Sequence, residues 1–181
     1  MLPTSVLVLP GWHNSGPEHW QTRWERAHGY LRIEQHDWDR PLRGDWIARI
    51  EEVVLGCAGQ AVLVAHSLGC IAVAAWAAHS RNTHRVHAAL LVVPPDTETD
   101  KLREALPGWS PIPLQPLPFA STVVASSDDP YCTPARSRQI AAAWQARRVD
   151  AGPAGHLNTT SGLDEWPTGH ALLTELMTKK D

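Results

Sequence analysis

The segment Ala65-His66-Ser67-Leu68-Gly69-Cys70 follows an apolar run and leads into an alanine-rich stretch. A serine on such a strand-to-helix turn is a nucleophile elbow in outline. The sharp turn holds the residue in a strained conformation and lifts its hydroxyl above the sheet. Strand and helix approach closely there, so the positions two before and two after the serine must be small. Gly69 meets that need, and Ala65 stands where glycine is usual. The same residues would also suit a serine that merely caps the next helix, since serine is a favoured N-cap.

A hydroxyl is a poor nucleophile unless a base takes its proton, so the elbow calls for a histidine. Of the ten histidines, only His156 lies in a loop directly after a strand run and before the last helical run, in Ala154-Gly155-His156-Leu157-Asn158. His66 adjoins the serine, where neighbours at a tight turn point in different directions, and is expected to pack beside the elbow. His170 falls inside a helical run, and His84 and His87 flank a strand start. The base in turn needs a carboxylate to fix its tautomer and stabilise the imidazolium formed during proton transfer. Ser126-Ser127-Asp128-Asp129-Pro130-Tyr131 follows another strand run. Either aspartate could face the imidazole while the other bonds backbone amides of the turn, and Asp96 is a third candidate. The order Ser, Asp, His is that of α/β-hydrolases. Donors for a developing oxyanion would be the backbone N–H of Leu68 and, from the loop after the first strand, that of Trp12, with Gly11 letting the chain turn. His13 in that loop and Trp166 at the start of the last predicted helix are candidate walls of a substrate pocket.

These residues need a scaffold that brings loops together. Short apolar runs alternate with longer amphipathic ones, the pattern of a parallel sheet with helices on both faces. Strands are predicted at Ser5–Leu9, Leu31–His36, Ala61–Ala65, Val86–Val93, Ser121–Ala125 and Arg148–Ala151. Helices are predicted at Glu18–His28, Arg43–Cys57, Leu68–Ser80, Asp100–Leu106, Pro134–Arg147 and Trp166–Thr178. In such sheets ligands bind beyond the carboxyl ends of the strands, where Ser67, His156, the three aspartates and the loop with Trp12 fall. The stretch Pro107–Pro118 carries five prolines and reads as an irregular connection.

Composition narrows the function classes. With 181 residues, 43% hydrophobic, the chain suits one α/β domain over residues 1–181. Sixteen Lys and Arg against 19 Asp and Glu leave a net charge of −3 with no basic cluster, which argues against nucleic acid as a partner. No apolar stretch nears the roughly 18 residues of a membrane span, and the start MLPTSVLVLP lacks the positive region of a signal peptide. Cys57, Cys70 and Cys132, at spacings of 13 and 62, fit neither a disulfide framework nor a metal site and read as reduced thiols in a cytoplasmic protein. The phosphate cradles G-x-G-x-x-G and G-x-x-x-x-G-K-[ST] are missing, so no nucleotide cofactor is expected, and none of the chemistry needs a metal. Nine Trp stand against one Phe and two Tyr, suiting core seams and pocket walls equally.

The strings PGWHNSGPEHWQ from Pro10, HDWDRP from His36, VAHSLGC from Val64, SSDDPYC from Ser126 and GHLNTTSGLDEWPTG from Gly155 span nearly the whole chain. On these the protein resembles the small single-domain α/β-hydrolases of the retinoblastoma-binding protein 9 family, in particular its bacterial members. The resemblance implies a serine hydrolase with esterase-type activity, with Ser67 as nucleophile, His156 as base and Asp129, the second carboxylate of Asp-Asp-Pro, as acid. It carries over no retinoblastoma-type partner. The expected substrate is a small carboxylic ester or related acyl compound; a binding module on a hydrolase scaffold is the alternative from another class. Larger α/β-hydrolases often insert a helical lid after the sixth strand, but here the 27 positions from Asp129 to His156 are filled by one helix and one strand. A minimal lid follows, with the proline-bearing connection from Val93 to Ser121 as a rim.

Overall fold

Two of the predicted strands are apolar without alternation, and both are covered on both faces. In the computed structural model, which describes residues 4–178, β3 (Ala61–His66) is buried along its whole length and β4 (Val86–Val92) almost so. They lie at the centre of one six-stranded sheet with β1 (Ser5–Leu9), β2 (Leu31–Arg32), β5 (Ala120–Ala125) and β6 (Arg147–Asp150). The strand order is β2-β1-β3-β4-β5-β6, and every neighbouring pair is parallel. The six-stranded sheet and its flanking helices match the expected α/β-hydrolase architecture.

Side chains alternate across a strand, so each strand feeds two cores. Leu7, Leu63, Leu91 and Val123 face a cluster with α2 (Arg43–Gly56), α3 (Leu68–His79) and α5 (Pro134–Ala143). Val6, Val64, Leu90 and Val124 face a second cluster with α1 (Trp20–His28) and α6 (Pro167–Thr178). Helix α2 turns Trp46, Ile50 and Val54, spaced by four, into the first core. Helix α3 is buried continuously from Leu68 to Trp76, because α2 covers the side that the sheet does not. Between β4 and β5 runs the short helix α4 (Asp100–Ala105).

The largest departure from the predicted elements is at β2. The expected strand Leu31–His36 pairs only over Leu31–Arg32, with one further bond from Ile33 N to Val8 O at 2.9 Å. Beyond it the chain turns away at this sheet edge. The partner strand β1 ends at Leu9, one residue past the Val8–Arg32 pair, and after the expected strand Asp37 Oδ1 accepts from the amides of Asp39 and Arg40 at 2.9 and 2.8 Å, closing a turn. Helix α5 stops at Ala143, not Arg147, because Gln145 takes a left-handed φ of 55° and the chain enters β6. Other boundaries shift by two residues or fewer.

Gly69 decides how closely α3 approaches β1. A Cβ there would lie 2.4 Å from the Leu9 carbonyl oxygen and 2.8 Å from that of Pro10. Gly69→Ala must push the helix off the strand and should cost about 1–3 kcal/mol, the range of an overpacked core. The drop would be read as a lower urea midpoint at unchanged slope. Gly44→Ala, with nothing within 4 Å of the new methyl, is the control and should be neutral or mildly stabilising. Equal midpoints for both variants would contradict the crowding.

Candidate active site

Ser67 stands between β3 and α3 with φ 53° and ψ −124°, a strained conformation for a residue with a side chain. Its amide is tied to the Val92 carbonyl at 2.9 Å. It does not cap α3 through its side chain. Instead its Oγ lies 2.8 Å from Nε2 of His156, whose Nδ1 lies 2.8 Å from Oδ1 of Asp129. The carboxylate can only accept, so Nδ1 carries the proton and Nε2 accepts from the serine hydroxyl. The Asp129 side chain is 3% exposed, and the same Oδ1 accepts from the Tyr131 amide at 3.0 Å.

The three acid candidates take separate places. Asp128 Oδ1 accepts from the Gly155 amide at 2.7 Å and from Ser126 Oγ at 2.8 Å, and these bonds hold its carboxyl below the usual range. It braces the loop before His156 while its neighbour faces the ring. Asp96 is turned to Arg136, 3.4 Å from Nε, and its amide is bonded by the Tyr131 carbonyl at 2.9 Å.

His66 is buried, and its Nε2 lies 2.9 Å from the backbone carbonyl of His156. A carbonyl cannot donate, so Nε2 bears the hydrogen. Burial, with His19 and His156 nearby, pushes its pKa well below the ordinary value and keeps the ring neutral. The residue beside the serine thus fastens the backbone of the residue that faces the serine. His19 caps α1, its Nδ1 accepting from the Gln21 amide at 3.2 Å, while its buried Nε2 meets no partner in the protein. Gln21, fully buried, donates to the carbonyls of Leu9 and Val64 at 3.2 and 3.1 Å and accepts from Ser15 Oγ at 2.7 Å. It joins the ends of β1 and β3 to the loop between β1 and α1. Neither His19 nor Gln21 emerged from the sequence reading. The available signal was a glutamine at a position flanked by two core tryptophans of the same helix.

Trp12 and His13 both line the cleft over Ser67. His13 stacks on Trp12, ring centroids 4.4 Å apart, and its Nδ1 lies 2.8 Å from Asp39 Oδ1, while Trp12 Nε1 donates to the Asp39 carbonyl at 3.0 Å. The backbone amides of Trp12 and Leu68 donate to no acceptor among the described residues. Gly11 brings their loops together: a Cβ there would lie 2.9 Å from the Ser67 Cβ and 3.1 Å from the Leu68 amide. Trp166 does not reach the cleft, contrary to expectation. After His156 the chain doubles back, held by Trp20 Nε1 on the Leu157 carbonyl at 2.8 Å and Trp24 Nε1 on that of Glu165 at 2.6 Å. Trp166 is thereby packed edge-to-face on Trp20 at 4.9 Å and sits over Gly169, in the seam between α1 and α6.

A comparison with protein families matches residues 6–175 to the model described as serine hydrolase. The chain belongs to this serine hydrolase family. A YdeN-like hydrolase from Pectobacterium atrosepticum is 27% identical, with a TM-score of 0.84 over 96% of this chain and 90% of that one. The ydeN gene product of B. subtilis is 20% identical, with a TM-score of 0.78 over 98% and 100% of the two chains. Thermogutta terrifontis esterase 2 shares the fold at 18% identity, TM-score 0.68, over 97% and 83%. No curated protein sequence matches the chain. The likeness drawn from the motifs therefore holds: the chain is a small serine hydrolase, and it is similar to the YdeN-like hydrolases. Among the described residues no group of three or more His, Cys, Asp or Glu is set to hold a metal, and no helix is long and apolar enough to cross a membrane.

The buried histidines make stability depend on pH. His19 is pushed from 6.5 to about 4, first by burial, then by Arg32 and His156. The unfolded chain takes up this proton near 6.5 and the folded protein only near 4, so between these values the unfolded state holds more protons. Stability should therefore fall as pH drops from about 6.5 toward 4, by up to about 3 kcal/mol at 1.36 kcal/mol per pH unit. Urea midpoints at pH 7 and 4.5 would show it, and His19→Asn, which keeps a cap acceptor, should flatten the decline. An equally steep decline in that variant would contradict the assignment.

Proposed function

We propose that the protein hydrolyses small carboxylic esters or related acyl compounds through an acyl-enzyme on Ser67. The observation that carries this reading is the imidazole of His156, 2.8 Å from Ser67 Oγ on one side and from Asp129 Oδ1 on the other, at an open cleft. In the proposed cycle His156 takes the Ser67 proton as the oxygen attacks the carbonyl carbon. Asp129 keeps the ring in the Nδ1–H tautomer and stabilises the imidazolium. The uncommitted amides of Trp12 and Leu68 receive the oxyanion. His156 then gives its proton to the leaving alcohol, and in the second half takes one from the water that releases the acid. No step calls on a metal or cofactor.

Size supports a small substrate. The cleft holds about 280 Å³, at the bottom of the usual range for ligand sites. One wall comes from the β4–β5 connection, through Pro95, Leu102 and Leu106. That connection is fastened from below: Trp109 Nε1 donates to the Pro41 carbonyl at 2.9 Å and Trp144 Nε1 to that of Pro113 at 2.7 Å. A pinned wall of this kind agrees with the expected rim in place of a mobile lid.

A fluorophosphonate probe should label the wild-type protein at Ser67 and leave Ser67→Ala unlabelled. p-Nitrophenyl acetate turnover should disappear in the same variant. Asp129→Asn should lower kcat by about 10⁴-fold, the cost of the wrong imidazole tautomer, whereas Asp128→Asn should act mainly on stability. Labelling that survives Ser67→Ala, or equal loss from the two aspartate variants, would sink the assignment.

A further inference from the structure

The lining of the cleft is of two kinds. Pro95, Leu102 and Leu106 supply the apolar part. The cleft is also lined by Asn14, Asn158 and Thr159, on the segments that follow β1 and β6. The partners of each amide fix its orientation. Asn14 Oδ1 accepts from the Ser15 amide at 2.8 Å and from Arg32 Nη1 at 3.0 Å. Asn158 Oδ1 accepts from the Thr160 amide at 3.1 Å and its hydroxyl at 2.7 Å. Donors surround both oxygens, so both NH₂ groups are turned away from these partners, and among the described residues neither finds an acceptor. The hydroxyl of Thr159 likewise has no partner among them. His19, which also borders the cleft, adds a buried Nε2–H without an acceptor.

This part is rich in donors, and the cleft is lined by no Asp, Glu, Lys or Arg. The guanidinium of Arg32, which bonds Asn14, is spent on that amide, on Glu25 at 2.8 Å and on Thr22. A charged arm would have to shed its water with no counter-ion in return, which is costly. A purely alkyl arm would cover the donors of Asn14, Asn158 and Thr159 and leave them without water or partner, which is costly too.

We propose that the site selects esters with one short apolar arm, packed on Pro95, Leu102 and Leu106, and one uncharged arm carrying an ether, hydroxyl or carbonyl oxygen, received by Asn14, Asn158 and Thr159. The inference rests on the hydrolase reading above for which bond is cleaved, but the recognition it describes is separate from the cleavage.

Four esters of matched size test it: butyl pentanoate, 2-methoxyethyl pentanoate, butyl 3-methoxypropanoate and monobutyl succinate. One of the two methoxy esters should exceed butyl pentanoate in kcat/KM by about three- to tenfold, the worth of one neutral hydrogen bond. Monobutyl succinate should be the poorest. The ratio of methoxy to alkyl ester should shrink in Thr159→Val, and in Asn14→Asp, which keeps the acceptor for Ser15 and Arg32 but removes the NH₂. Ratios near one for both methoxy esters, a preference for the succinate, or ratios unmoved in both variants would overturn the proposal. The same order should appear as relative affinity for Ser67→Ala in an NMR titration. That arm separates the two readings: esters left uncleaved by the wild type would sink the hydrolysis, while the binding order alone decides the cleft's preference.

Discussion

The site depends on how little space separates the turn at Ser67 from the end of β1. At Gly69 and Gly11 a methyl group would strike the backbone or the serine itself, at 2.4 and 2.9 Å. That approach brings the two loops, and with them the amides of Trp12 and Leu68, to one point. The carbonyls of Leu9 and Val64, near the carboxyl ends of β1 and β3, lie close enough together to share one donor group. Gln21 fills them with one side-chain amide. Position two before the serine is less crowded in its demands, since Ala65 is accepted there, fully buried in the core beneath α3.

Bringing distant loops to that point is largely the work of indole N–H groups. Six of the nine tryptophans donate to backbone carbonyls of loops: Trp12 to Asp39, Trp20 to Leu157, Trp24 to Glu165, Trp46 to Asp37, Trp109 to Pro41 and Trp144 to Pro113. Trp76 donates to the Glu51 carboxylate instead. Each ring buries a large apolar body in one of the two cores and holds out a single polar hook at its edge. A phenylalanine would fill the same volume and leave the loop carbonyl without a donor. The abundance of Trp over Phe thus follows from the job of fastening irregular backbone, and only Trp12 also borders the cleft.

The strands and the Ser, His and Asp positions were legible because each rests on local pattern: period in the strands, loop position for the polar residues. Six parallel strands and the juxtaposition of Ser67, His156 and Asp129 agree with that reading. What spacing could not separate was Asp128 from Asp129. The choice is made by which side chain turns toward a ring 27 positions away and which toward the amide of Gly155. Nor could the sequence show that Trp166 belongs to a seam, because its place is set by bonds from Trp20 and Trp24 across the fold. The predicted β2 ran too long for a similar reason: Leu31–His36 has strand composition, but its only partner, β1, ends at Leu9, one residue past the Val8–Arg32 pair.

Electrostatics adds a constraint on the neighbours of His156. The His66 ring lies 5.1 Å from it, and the His19 ring 4.7 Å from that of His66. In the proposed cycle His156 becomes an imidazolium, which a charged His66 would oppose by about 3 kcal/mol at this separation and an effective dielectric near 20. Burial removes that opposition by keeping His66 and His19 neutral. Neutrality also lets His66 hold the His156 carbonyl with a single N–H and bring no competing charge. A lysine or arginine could make the same bond, but its fixed charge would then stand beside the base at the moment the base becomes positive. Histidine at position 66 supplies the donor while its depressed pKa withholds the charge, so the burial that makes the ring costly in acid is the condition for its use at neutral pH.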